Sequence, residues 1–205
     1  IKIVEGGWLP LAIAAMVFLV MEKCRFGRRH HQEIVRNESL PLDLFLERAD
    51  KTPMRVAGTA VFLNARTDVV PASLLHNLKH NRVLHERVIL AHVTVDDTPF
   101  VRKEKRIEVT KLGKGFYSVN VHHGFFETPD VPLALSNARA YGLAVDVDHT
   151  TFFVGRETLV PSQHPALGRW RTWLYIQLAA NALSPARFYC LPPNRVIELG
   201  AQITV

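Results

Sequence analysis

The chain has only two cysteines among its 205 residues. That scarcity excludes a disulfide-built miniprotein, and Cys24 and Cys190, with no evident framework, fit a reducing compartment. Low-complexity tracts and internal repeats are absent. Charged residues are 21% and hydrophobic residues 48%, which excludes a disordered or collagen-like chain. There is no Gly-x-Ser-x-Gly elbow and no P-loop ending in Lys-Ser/Thr. Zinc-finger spacing, a helix-turn-helix pattern and an aromatic RNA-binding motif are also missing. The net charge of +6 therefore does not argue for nucleic acid, and no nucleic-acid partner is expected. The mean hydropathy of +0.05 is too polar for a polytopic membrane protein.

Charge is scarce where the chain begins. Residues 1–21 carry only Lys2 and Glu5, and Gly6–Met21 is a run of 16 uncharged residues. As a helix this run rises about 24 Å, against a hydrocarbon layer of about 30 Å. Three readings compete: a membrane helix, a core helix that is apolar all round, and a signal peptide. A signal peptide has its basic residues before the apolar run and small residues at its end. Here Lys23, Arg25, Arg28, Arg29 and Arg36 follow the run, while Ala12, Ala14 and Ala15 lie inside it. The membrane reading is favoured, and the basic cluster then marks the cytoplasmic side. The chain opens on Ile1, so a fragment or processed product is expected.

Three regions are expected: a transmembrane helix over 1–22, a basic connector with an amphipathic helix over 23–53, and a cytoplasmic α/β domain over 54–205. In the second, Leu42, Phe45, Leu46 and Ala49 form a helical stripe, opened by Ser39 and Pro41 and ended by Pro53. In the third, the sequence predicts a strand (56–63), a helix (71–81) and a strand (88–95). The last is a nearly continuous apolar run that suits burial on both faces. This order is a βαβ signature. Ile107–Leu112 and Phe116–His122 alternate around Gly113-Lys114-Gly115, a hairpin signal. A helix (128–141) stopped by Gly142 follows. Two short strands (151–154, 158–160) are expected around a turn at Gly155-Arg156. A helix (166–182) should place Trp170, Trp173, Leu174 and Leu178 in a core, and a strand (195–205) with a bulge at Gly200 closes the chain. The fold class is α/β: one N-terminal transmembrane helix followed by a layered cytoplasmic domain with a mixed sheet.

Candidate chemistry is thin. His76 and His80 stand at i, i+4 with His85 and Glu86 beyond, a spacing that can hold a metal. The zincin pattern needs Glu after the first His, and Asn77 stands there. His122 and His123 are adjacent on a strand, point to opposite faces and cannot chelate easily. Gly113-Lys114-Gly115 is too short for a phosphate loop, and Gly155-Arg156-Glu157-Thr158 reads more simply as a turn. Asp146 and Asp148 alternate along an expected strand as a solvated face. A second basic run, Arg102, Lys103, Lys105 and Arg106, is interrupted by Glu104. No catalytic residue, metal ligand or cofactor is assigned, and an enzyme is not expected.

Several segments together resemble the KUP/HAK/KT family of potassium uptake permeases, the bacterial Kup proteins in particular. Gly6-Gly7-Trp8-Leu9-Pro10-Leu11 is similar to the start of the family's last membrane helix. RVAGTAVFL (55–63), HNLKHNRVLHERVIL (76–90), HHGFFETPDV (122–131) and TTFFVGRETL (150–159) are similar to successive stretches of its cytoplasmic domain. LPPNRVIELGAQITV (191–205) is similar to its C-terminus. The resemblance implies a polytopic inner-membrane carrier, a homodimer, that moves K+ inward with H+. The ion-binding and proton-coupling residues then lie in earlier helices outside this chain, and Glu5 takes no coupling role. In a related branch an α/β cytoplasmic domain binds a cyclic dinucleotide, so the resemblance implies a nucleotide regulator as a partner, beside membrane lipid. The alternative is a stand-alone membrane-anchored nucleotide-binding module.

Overall fold

The computed structural model describes residues 8–37, 39–49, 54–162 and 168–204. Glu5, the opening glycines of the apolar run, Pro53, the first residues of the expected helix 166–182 and Val205 lie outside the described residues. The chain divides into two compact units: one of residues 1–38, 158–182 and 202–205, and one of residues 39–157 and 183–201.

The second unit holds a six-stranded mixed sheet except for residues 158–160 and 202–204 at the ends of its last two strands. Its strands are β1 (Arg55–Asn64), β2 (Leu84–Asp96), β3 (Ile107–Gly113), β4 (Phe116–Gly124), β5 (Thr150–Val160) and β6 (Val196–Thr204). Their order is β3-β4-β2-β1-β5-β6. β1 pairs in parallel with β2 on one side and β5 on the other, β2 pairs in parallel with β4, and β3 is antiparallel to β4. The expected βαβ unit is present as β1, helix α3 (Ala72–Asn81) and β2. The hairpin is present too. Gly113, Lys114 and Gly115 turn with φ of +90°, +53° and +83°, and a β-carbon on Gly115 would lie 2.3 Å from the Glu86 carbonyl oxygen.

Alternation along the central strands sends neighbouring side chains to opposite faces. Ala60, Phe62, Val88, Leu90, Phe116 and Phe153 cluster with Leu74 of α3 and with Leu42 and Phe45 of α2 (Leu42–Arg48). Val61, Ile89, Ala91, Val119, Phe152 and Val154 cluster with Val131, Ala134 and Leu135 of α4 (Val131–Asn137). Helices thus cover both faces, which is why β2 reads as a continuous apolar run. Phe62 stacks on Phe153 at 4.5 Å, and Phe45 meets Phe116 edge-on at 5.8 Å. α4 is shorter than expected. Asp130 caps it by accepting from Leu133 N–H at 2.8 Å, a 3-10 turn takes over at Ala138–Tyr141, and Gly142 stops it at φ +84°.

Two local expectations fail. Gly155-Arg156 does not turn; β5 runs through it unbroken. Asp146 and Asp148 are not on a strand. Asp146 caps a 3-10 helix at Val147–His149, accepting from Asp148 N–H at 3.2 Å and pairing with His149 at 2.8 Å.

The first unit contains α1 (Trp8–Asn37) and α5 (Arg169–Ala180). The basic stretch after Met21 continues α1 without a break. Gly27 is where the two helices touch: a β-carbon there would stand 2.9 Å from the Tyr175 ring. Trp170 and Trp173, expected in a core, are each 63% exposed. Among the described residues no helix is long and apolar enough to cross a membrane. The apolar part of α1 ends at Met21, and Glu22, Lys23 and Arg25 follow within the same helix. The expected transmembrane helix over 1–22 is therefore not reproduced by the described residues.

Candidate functional site

The strands place one polar cluster at the carboxyl ends of β2 and β4. Thr94 lies opposite His122, and His92 opposite Asn120. Period-two alternation puts Thr94, Asp96, Asn120 and His122 on one face, and Glu108 of β3 joins them opposite Asn120. Thr94 Oγ1 donates to Asn120 Oδ1 at 2.9 Å. Asn120 Nδ2 lies 2.8 Å from His122 Nε2. His122 Nδ1–H then donates to Asp96 Oδ1 at 3.0 Å, and Glu108 Oε2 stands 3.7 Å from Nε2.

A base held by a carboxylate resembles half of a catalytic constellation. The only hydroxyl in the network, that of Thr94, is committed to Asn120. The arrangement acts instead as a cross-strand ladder that fixes the register of β2 and β4. Sequence reasoning missed it. The available signal was Thr94/Asp96 and Asn120/His122, two polar pairs at strand period near strand ends. The opposite-face expectation for His122 and His123 holds: His123 is buried, with Nδ1 3.0 Å from the Gly124 carbonyl and Nε2 without a partner.

Glu127 ties the adjoining loops. Its carboxylate accepts from Val101 N–H at 3.0 Å and Gly124 N–H at 2.8 Å, and pairs with Arg106. The Gly124 amide first, then that of Val101, holds this carboxyl below its ordinary range. Arg106 is therefore bound within the fold, and the second basic run is not a uniform surface patch.

A cleft of about 470 Å³ lies beside α4, lined by Asp130, Leu133, Ser136, Asp148, Cys190 and Arg195 among others. Asp130 is used as the cap of α4. One arginine against two carboxylates does not favour a phosphate-rich ligand.

The other sequence candidates do not converge. His76 and His80 stack along α3 at 6.0 Å. His85 and Glu86 are on β2, where His85 meets Phe153 edge-on at 5.9 Å and burial pushes its pKa down. Among the described residues no three His, Cys, Asp or Glu side chains are grouped to hold a metal. Lys114 Nζ donates to the Leu46 carbonyl at 3.2 Å, and Arg156 pairs with Glu198 at 3.3 Å. The two glycine-containing segments thus hold their cations in structural contacts.

Residues 57–205 match the family model described as K+ potassium transporter C-terminal domain. The chain is 46% identical over 204 residues to a "Probable potassium transport system protein Kup" of Azoarcus sp. (strain BH72), covering 99% of this chain and 32% of that protein. It is 44% identical over 205 residues to "Kup 1" of Paramagnetospirillum magneticum, with coverage of 99% and 32%. Against the Kup protein of Zymomonas mobilis it is 44% identical over 202 residues, with coverage of 98% and 31%. The chain spans about a third of the length of these curated relatives. No solved structure matches it.

Proposed function

The chain belongs to the family of K+ potassium transporter C-terminal domains, and from that premise we propose that it serves a carrier taking up K+ together with H+ across the plasma membrane. The observation that carries this reading is the collinear match of nearly the whole chain to a third of each Kup protein. The relatives are named as transport proteins, which fits a chain that is not an enzyme.

In this reading the apolar part of α1, Trp8–Met21, belongs to the last membrane helix of a multi-pass protein, and residues 23–205 are cytoplasmic. Its exposed apolar side chains, spread all round the helix, support this. Leu9, Leu11, Ile13, Met16, Phe18 and Met21 are each more than half exposed, so the helix needs an apolar solvent. The sheet unit then works as a regulatory or assembly domain of a homodimer. A nucleotide, a cyclic dinucleotide among the candidates, is its proposed regulator. Regulation would require tighter binding to one transport conformation than the other.

Removing Met54–Val205 from a full-length transporter and measuring Rb+ uptake tests the proposal. The truncated protein should still insert, with uptake or its regulation altered. Unchanged uptake, assembly and regulation would overturn the role given to the sheet unit.

A further inference from the structure

Helix α5 presents a face that its own unit does not cover. Tyr175 packs against α1 at Gly27. At 100° per residue, Trp170 and Trp173 lie roughly 140° and 160° around the helix from Tyr175. They therefore point away from α1, and each is 63% exposed. Arg169 and Arg171 flank Trp170, both exposed, with the Arg171 guanidinium 5.4 Å from the Trp170 ring centre. α5 has no acidic residue. On α1, exposed Arg25, Arg28 and Arg29 surround the Gly27 contact.

Exposed tryptophans beside arginines, with no carboxylate on the helix, match one environment. Indole rings favour the layer between hydrocarbon and water, and arginines there meet anionic headgroups. The depth agrees. Gly27 is six residues past Met21, about 9 Å along α1. The headgroup layer outside the hydrocarbon is about 5–8 Å thick on each side. We infer that α5 docks on the anionic headgroup layer of the membrane, held at that depth by the Gly27–Tyr175 contact, with Trp170 and Trp173 inserted and Arg169 and Arg171 on lipid phosphates. This rests on the reading of α1 as a membrane helix.

All three tryptophans of the chain are Trp8, Trp170 and Trp173, so fluorescence separates the two readings. The 205-residue chain is reconstituted as W8F or as W170F/W173F, with helicity checked by circular dichroism. The vesicles contain phosphatidylglycerol or phosphatidylcholine alone, with lipids brominated near the headgroup or near the chain end. In phosphatidylglycerol, Trp170 and Trp173 should be quenched most by bromine near the headgroup. R169Q/R171Q, built on W8F, should shift the docked-to-free ratio by about 30-fold, at about 1 kcal/mol per arginine. Quenching of Trp8 without quenching of Trp170 and Trp173 would overturn the docking and leave the α1 reading intact. Quenching of Trp170 and Trp173 without Trp8 would remove the α1 reading and overturn the role of the Gly27–Tyr175 contact in setting the depth of α5. Quenching of neither removes both. Equal quenching in both lipids, unmoved by R169Q/R171Q, would overturn the headgroup role of the arginines.

Discussion

Phe62 and Phe18 are the same side chain in opposite situations. Phe62, on the central strand of the sheet unit, is 0% exposed; Phe18, on α1, is 64% exposed. Burying a phenylalanine is worth about 1.5–3 kcal/mol. The sheet unit obtains that from its own chain, through Phe153 and the helices on both faces. The helical unit leaves it to whatever surrounds α1. One unit buries its apolar side chains within itself, and the other leaves them exposed.

The largest expected effect tests that contrast directly. Phe62→Ala should cost about 3–5 kcal/mol, read as faster hydrogen exchange in β1, β2 and β5. Phe18→Ala should leave exchange in those strands unchanged. Equal acceleration by both would end the contrast. Tryptophan emission cannot replace this readout, because the sheet unit contains no tryptophan.

Glu127→Gln should destabilise the sheet unit by about 2 kcal/mol, the scale of hydrogen bonds to a charged group. The pH dependence has a defined sign. The folded pKa is depressed, so this contribution is full above the unfolded value of about 4.3 and fades as pH falls toward the folded pKa. Urea midpoints at about pH 6 and about pH 3.5 should therefore differ less in the variant than in the parent. An unchanged pH response would mean the ties to Gly124, Val101 and Arg106 contribute little.

The smallest effect sharpens the comparison from the other side. Trp173→Ala should change the sheet unit's unfolding free energy, read by urea titration, by no more than about 0.5 kcal/mol, as expected for an exposed side chain. A loss above 2 kcal/mol would show that the Trp173 ring packs against protein after all.

The sheet unit's elements were legible where local chemistry dominates. The apolar run of β2, the Gly113-Lys114-Gly115 turn and the Gly142 stop each carry their own cause. The failures were of other kinds. Helical spacing of Trp170 and Trp173 announces an apolar face without saying what meets it. Asp146 and Asp148 have strand period, but an aspartate side chain can also cap a short turn. Gly155 reads as punctuation in isolation, yet β5 runs through it from Thr150 to Val160. The His122 ladder joins Thr94 to Asn120 across paired strands, a contact that no local pattern encodes.

The register of β1 also has a consequence in time. Thr59 pairs with Thr150, a residue that leaves the ribosome 91 positions later. At about 5–20 residues per second, that edge of β1 stands unpaired for roughly 5–20 s during synthesis. An open apolar strand edge is a template for foreign strands. Each newly made chain therefore passes through a window in which neighbouring nascent chains, or a chaperone, compete for the place that β5 will take.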